Sequence, residues 1–527
     1  MNEILRTPRA RWWAAAGFMA LLGLIWGSYS LLEPMGRDQG IHGAIALGMD
    51  NGLTLYRDIY NIKPPLTASM HWVALKLFGH NMMAIRVLDL LAVVGVLWAL
   101  LAITTGLGRR IRDGMLVGLS FLLIYYAQDF WNKAQTDGWG IFCILFATVA
   151  LVRGWNLPMR NRRRLWMLLA GMLMGAAFAF KYTLGTFGLL VFAPLLAPND
   201  QRRFYMPDLL FLCLGGMITL AVIGGVLFAN GALEPYFEIQ GYILSYLGYE
   251  NPRVPLLVES LRVLLINPAA TLAALAGLAA LIIAYFSGRA RVFHALIPLA
   301  LVAGWISGFV QGKGFFYHYL PEIMSFSMLA GLGMATAYDA IAARTERGIL
   351  AAGILASAFF IIQFPWSQQA WAISALASDS PRRTYWENTH KNWYNITEMA
   401  DFADELAKIR KPDETMFLWG YETVVYLLAD EPPRYRHPYA WALVVDFHDG
   451  RYTPDLMGRL QENPPVNFIV GHHDETPHVT GHDRDSAQSL PLIPELQAFV
   501  TDNYTQVYDS EYFDVWRLNA ADAAATN

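Results

Sequence analysis

Long apolar runs separated by short basic turns fill the first two thirds of the chain. They recur at 14–32, 83–104, 114–128, 138–152, 165–181, 183–197, 208–230, 262–286, 293–310, 319–339 and 349–364, eleven in all. A spanning helix needs about 20 apolar residues, so each run predicts a membrane crossing. Ala14–Leu32 is longer than a signal-peptide core and lacks a small-residue cleavage site, so it reads as a retained first span. The break at Lys181-Tyr182 allows one long span or two. Basic clusters arbitrate: those at Arg6–Arg11, Arg109–Arg112, Arg160–Arg164, Arg202/Arg203, Arg289/Arg291 and Arg344/Arg347 share one face only if there are eleven spans. The N-terminus is then cytoplasmic. The segments 36–82, 129–136, 231–260 and 311–318, and everything after the last span, face outward.

The pattern changes near Trp366 to that of a water-soluble domain. Helical spacing marks Ile396–Ile409, Leu456–Gln461 and Ile493–Asn503, and strand-like runs mark Thr415–Trp419, Asn467–Val470, Thr505–Tyr508 and Phe513–Leu518. This predicts a membrane domain over 1–365 and an outer, periplasmic α/β domain over 366–527. Composition agrees: 16% of residues are charged, against about 25% in soluble domains, and mean hydropathy is +0.32. A net charge of −4 with no basic-aromatic run argues against a nucleic-acid surface. Cys143 and Cys213 lie in apolar runs and read as packing residues.

Charge concentrates in the first outer loop. Gln39–Asp50 has Ile41, Ile45 and Met49 on one helical face and ends at Asn51-Gly52, predicting an interfacial helix with Asp38 at its start and His42 one turn on. Asp38 reads equally as a helix cap or as a functional carboxylate. Lys63-Pro64-Pro65 precedes a second amphipathic run, Leu66–Phe78. Lys63 therefore flanks a helix N-terminus, which attracts anions such as phosphate. Its other reading is a lysine snorkelling to the headgroups.

The ordered set Asp38-Gln39, Gly52-Leu-Thr-Leu-Tyr56-Arg57-Asp58, Lys63-Pro64-Pro65-Leu66, Leu77-Phe78-Gly79 and Arg86 resembles the first periplasmic loop of the GT-C glycosyltransferases. The branch it is most similar to contains the protein O-mannosyltransferases and the lipid A aminoarabinose transferase. Ala134-Gln135-Thr136-Asp137, Gly175–Lys181 and Phe316-Tyr317-His318-Tyr319-Leu320-Pro321 resemble further motifs of that family. The resemblance implies a multi-pass inner-membrane α-helical protein. Its implied activity is inverting transfer of a hexosyl or pentosyl group from a polyprenyl-phosphate carrier to a lipid, glycan or protein acceptor at the outer face.

In that reading Asp38 is the base, Lys63 and Arg86 hold the departing phosphate, and Asp137 is a second acidic site residue. Lys181 is a phosphate candidate, His318 and Tyr319 contact phosphate or sugar, and Arg57 joins them unless Asp58 neutralises it. Asp137 also reads as a helix-start residue, Lys181 as a snorkelling lysine, and His318 and Tyr319 as interfacial belt residues. Family members often carry Asp-Glu where this chain has Asp38-Gln39, which leaves the chemistry to one carboxylate. No cofactor is indicated, divalent metal included; the cluster His472, His473, Asp474, His478 and His482 reads as a polar loop rather than a metal site. Tyr236, Phe237, Tyr242, Tyr246 and Tyr249 are available to stack on sugars or to anchor at the interface. Two other classes compete: a transporter or flippase of lipid-linked sugars, and a non-catalytic membrane scaffold. Transporters favour ionisable residues at the membrane midplane, whereas the candidate charges here sit at outer span ends.

Overall fold

The apolar runs become helices in the computed structural model, which describes residues 7–158, 160–248, 265–344, 347–389 and 395–519. In chain order the helices are α1 (Pro8–Gly27), α2 (Arg37–Asp50), α3 (Pro65–Phe78), α4 (Met83–Gly106), α5 (Ile111–Tyr125), α6 (Thr136–Trp155) and α7 (Arg160–Phe180). Then follow α8 (Met206–Ala229), α9 (Leu233–Gly248), α10 (Pro268–Phe286), α11 (Val292–Phe309), α12 (Ile323–Ala342) and α13 (Gly348–Gln363). Among the described residues eight helices are long and apolar enough to cross a membrane, and α13 joins Trp366–Ala375 in a further pair bent by 52°.

Three of the expected crossings are short for physical reasons that differ. The 15 residues of α5 cover only about 22 Å at ~1.5 Å each, but α5 is buried in protein from Leu116 to Tyr125 and need not match the lipid. Tyr182–Leu196 is a 15-residue 3₁₀ helix; at ~2.0 Å per residue it reaches about 30 Å, the thickness of the hydrocarbon core. The third, α13, is interrupted by its bend.

The chain divides into two compact units that are interleaved along the sequence. The first comprises 1–31, 88–225 and 252–370; the second comprises 32–87, 226–251 and 371–527. Glycine sets the closest helix approaches in the first. A Cβ on Gly171 would lie 1.9 Å from Leu212 O, and one on Gly215 2.1 Å from Leu168 O, so α7 and α8 meet backbone to backbone. The remaining surface of α8 is exposed and apolar, including Leu210, Met217, Val222 and Phe228. Cys213 is exposed there rather than packed in the interior; Cys143 is half-buried.

The second unit is built on a four-stranded sheet of order β1-β2-β4-β3: β1 (Met416–Trp419), β2 (Asn467–Gly471), β3 (Tyr504–Asp509) and β4 (Phe513–Leu518). The β1/β2 pair is parallel and fully buried, while β4 runs antiparallel to both of its neighbours. The first-loop helices belong to this unit. Asp50 at the end of α2 holds α3 through Lys76 at 2.5 Å, His80 at 2.8 Å and Trp72 at 3.1 Å. The C-terminal segment packs on them: Tyr60 N donates to Arg436 O at 2.6 Å, and a Cβ on Gly40 would meet Val424 N at 3.2 Å.

Candidate active site

The start of α2 is shaped by a division of labour between neighbours. Gly36 precedes the helix and has no side chain to cap it; Gln39 Oε1 accepts its N–H at 2.6 Å. Gln39 Oε1 also accepts from Arg86 at 3.2 Å, and Arg86 donates in addition to Pro34 O. Arg86 is buried, so its guanidinium braces the entry to α2 from behind. The residue expected on the phosphate thus spends these bonds on the protein.

Asp38, in the first turn of α2, lines a narrow cleft of about 70 Å³ with Arg37, His42 and Lys63. The far wall is aromatic: Tyr421, Tyr439 and Trp441, all buried. Lys63 is held through its backbone, with Tyr56 Oη donating to its carbonyl at 2.8 Å and Asn61 Oδ1 accepting its N–H at 3.1 Å. Tyr56 adopts φ 71° to do so, a conformation bulky side chains rarely take. Burial, and then the positive charge of Lys63, push the His42 imidazole down to about 3, so it is neutral near pH 7. His71 lies beside it, ring centres 5.6 Å apart, and burial lowers it too. Burial, with Asp38 next, raises the Tyr439 phenol, keeping it protonated beside the carboxylate. Arg37 is paired with Glu422 at 2.6 Å.

A second group of expected residues meets in the first unit. Asp137 lies in the first turn of α6, fully buried, and Lys181 Nζ reaches its Oδ2 at 2.7 Å. The same ammonium sits 5.5 Å from the centre of the Tyr317 ring. Two motifs far apart in sequence therefore form one ion pair, with Lys181 marking the break between α7 and the 3₁₀ helix.

The family model for dolichyl-phosphate-mannose-protein mannosyltransferase matches residues 62–228, a stretch that includes Lys63, Arg86, Asp137 and Lys181 and begins after Asp38. ArnT from Cupriavidus metallidurans bound to undecaprenyl phosphate superposes with a TM-score of 0.59 at 14% identity, over 97% of this chain and 98% of that one. The chain has the GT-C fold. The archaeal oligosaccharyltransferase AglB from Archaeoglobus fulgidus, in complex with an inhibitory peptide and a dolichol-phosphate, is also similar: TM-score 0.51 and 12% identity, over 97% of this chain and 74% of that one. No curated protein matches the chain by sequence.

The other expected residues have partners of their own or lie buried. Arg57 pairs with Asp58 at 2.7 Å and donates to Thr54 Oγ1 and Asn230 O, so its neighbour does neutralise it locally. His318 and Tyr319 are buried in the 3₁₀ turn Phe316–Glu322. Tyr319 packs so closely on α11 that a Cβ at Gly308 would be 2.5 Å from its ring. Of the histidine cluster, Asp474 is consumed by Tyr421 N, Ser486 N and Ser486 Oγ, His472 pairs with Asp514, and His482 bonds Val444 O. Among the described residues no set of three or more His, Cys, Asp or Glu could hold a metal ion. Tyr242 and Tyr246 of α9 pack on Trp441 and Phe447 rather than standing open to a sugar, and Tyr249 lies outside the described residues. The sequence reading missed Arg37, Tyr421, Tyr439 and Trp441. The last two stand in the aromatic run His437-Pro438-Tyr439-Ala440-Trp441, a weak signal beside so many other aromatics.

Proposed function

We propose that this chain is an inverting glycosyltransferase that moves a sugar from a polyprenyl-phosphate carrier to a lipid, glycan or protein acceptor at the outer face of the membrane. The observation that carries this reading is the cleft in which Asp38 and Lys63 face an aromatic wall. The acceptor hydroxyl attacks the anomeric carbon, the bond from that carbon to the phosphate oxygen breaks, and the hydroxyl proton passes to Asp38. A positioned carboxylate takes the proton as it leaves in the transition state. Lys63 stabilises the charge that grows on the phosphate. Neutral His42 adds a hydrogen bond without a competing charge, and the aromatic wall offers stacking surface to a sugar ring. Arg86 acts at one remove, setting the direction in which α2 presents Asp38. The buried Asp137–Lys181 pair of the first unit keeps the roles that the resemblance implies, a second acid and a phosphate-binding cation. Undecaprenyl phosphate in one protein of similar fold and dolichol-phosphate in another support a lipid-phosphate donor. N-terminus inside and C-terminal segment outside is the orientation that this chemistry requires.

The test is transfer in isolated membranes supplied with labelled polyprenyl-phosphate sugars. Wild type is expected to release polyprenyl phosphate, and Asp38→Asn to lose at least about a hundredfold in rate while keeping its thermal unfolding midpoint. Full transfer by Asp38→Asn would overturn the assignment of the base. Movement of intact lipid-linked sugar without bond cleavage would favour the flippase reading.

A further inference from the structure

A separate cleft, of about 680 Å³, opens at the N-terminal ends of α7 and α8, on the face that the loop charges assign to the cytoplasm. Its lining includes Arg163, Arg164, Arg203 and Asp208, with Trp155 and Tyr205 as aromatic walls. Three arginines against one aspartate leave two positive charges among these residues. The other acid close in sequence, Asp200, is already paired with Arg202 at 3.0 Å.

These are not simply solvated positive-inside arginines. The Arg163 side chain is only 11% exposed; it binds both oxygens of Asp208 and stacks 4.7 Å from the Tyr205 ring. Arg164 lies 5.4 Å from the Phe211 ring, and Arg203 is held by Pro198 O and Asp200 O. With Arg163 committed to Asp208, Arg164 and Arg203 are the planar guanidinium groups suited to grip a phosphate. The backbone contacts at Gly171 and Gly215 hold α7 and α8 together, so two helix starts, each carrying partial positive charge, are presented at one end. Beside the cleft, Leu165, Met206 and Leu210 are exposed on the same two helices. An anion seated here has apolar surface running away from it into the bilayer.

We propose that this cleft binds the phosphate headgroup of an anionic membrane lipid, with the acyl chains lying along α7 and α8. Basic pockets between membrane helices on the cytoplasmic side are suited to such headgroups. The proposal does not depend on the glycosyltransferase reading.

The full chain in detergent, stripped of lipid, would be titrated separately with phosphatidylglycerol, phosphatidylcholine and inorganic phosphate while its thermal midpoint is followed. Phosphatidylglycerol is expected to raise the midpoint at concentrations where the other two have no effect. Arg164→Gln/Arg203→Gln is expected to weaken that response at least tenfold, leaving the Arg163–Asp208 pair in place. Arg162→Gln removes the same kind of charge from an exposed position outside the lining and is expected to behave as wild type. If the double variant does not fold, Arg203→Gln alone carries the comparison. Equal responses to phosphatidylglycerol and phosphatidylcholine would overturn the proposal. So would an equal response to inorganic phosphate, which marks a free-anion site, or an equal loss in Arg162→Gln, which marks diffuse surface charge.

Discussion

Gln39 stands where the resemblance leads one to expect a second acid, and the structure shows what an uncharged residue does there. Its amide oxygen holds Gly36 N–H and Arg86 at once. An uncharged acceptor suffices for that, so the first turn of α2 needs only one carboxylate. Gln39→Ala is expected to cost about 0.5–2 kcal/mol, as for the loss of a helix cap, with a matching fall in transfer because Asp38 is displaced. Thermal unfolding and the transfer assay together would show both.

The buried histidines make a second residue-level prediction. The His42 value falls from 6.5 to about 3 on folding, so below pH 6.5 the unfolded chain binds a proton that the folded one refuses. Stability is therefore full above pH 6.5 and falls by about 1.4 kcal/mol per pH unit as the pH drops toward the folded value. His42→Gln should lessen the difference between unfolding at pH 7.5 and pH 5; an unchanged difference would sink the idea. None of this was legible in the sequence, which placed His42 one turn from Asp38 but could not say it was buried against His71. Asp38 and Lys63 were legible because each sits at a helix start marked by local signals. Tyr421 and Tyr439 were not, because what brings them to the cleft is tertiary packing between segments far apart in the chain.

At the level of elements, hydrophobic periodicity was a good guide. The helix Ile396–Ile409 begins and ends where its spacing predicts, and all four strands lie within one or two residues of their alternating runs. The break at Lys181 was legible too, through the arrangement of arginines. Its physical form was not: nothing local distinguishes a 15-residue 3₁₀ helix from a short α-helix, since the apolar content is the same. The close seam between α7 and α8 was also hidden, because glycine reads as a weak helix residue until its neighbour is known. Gly171→Ala places a methyl group against Leu212 O and is expected to destabilise by about 1–3 kcal/mol. Gly224→Ala on α8, where nothing lies within 4 Å, should be neutral or slightly stabilising. A comparison of their melting curves in one detergent checks both.

For the whole molecule, the second unit has a practical meaning for truncation. The segment after Ala370 is not an appendage to a self-sufficient membrane part, since it shares a unit with residues 32–87. It supplies Tyr421, Tyr439 and Trp441 to the Asp38 cleft, and Trp386 Nε1 donates to Leu32 O at 2.7 Å. A chain ended after Ala370 is expected to lose all transfer and to be cut rapidly by protease within 32–87, where the full chain resists. A truncated form with normal activity would instead mark the C-terminal segment as accessory.

The same interleaving imposes an order on biogenesis. Residues 32–87 emerge early, yet their sheet-side partners end with β4 at Leu518. At about 5–20 residues per second of synthesis, α2 and α3 wait roughly 20 to 90 s before the unit can close. During that interval the His42 and Tyr60 side chains, later sealed, are open to solvent and to proteases. Slowing translation near the 3′ end of its message lengthens that exposure and is expected to lower its yield more than slowing it near the start.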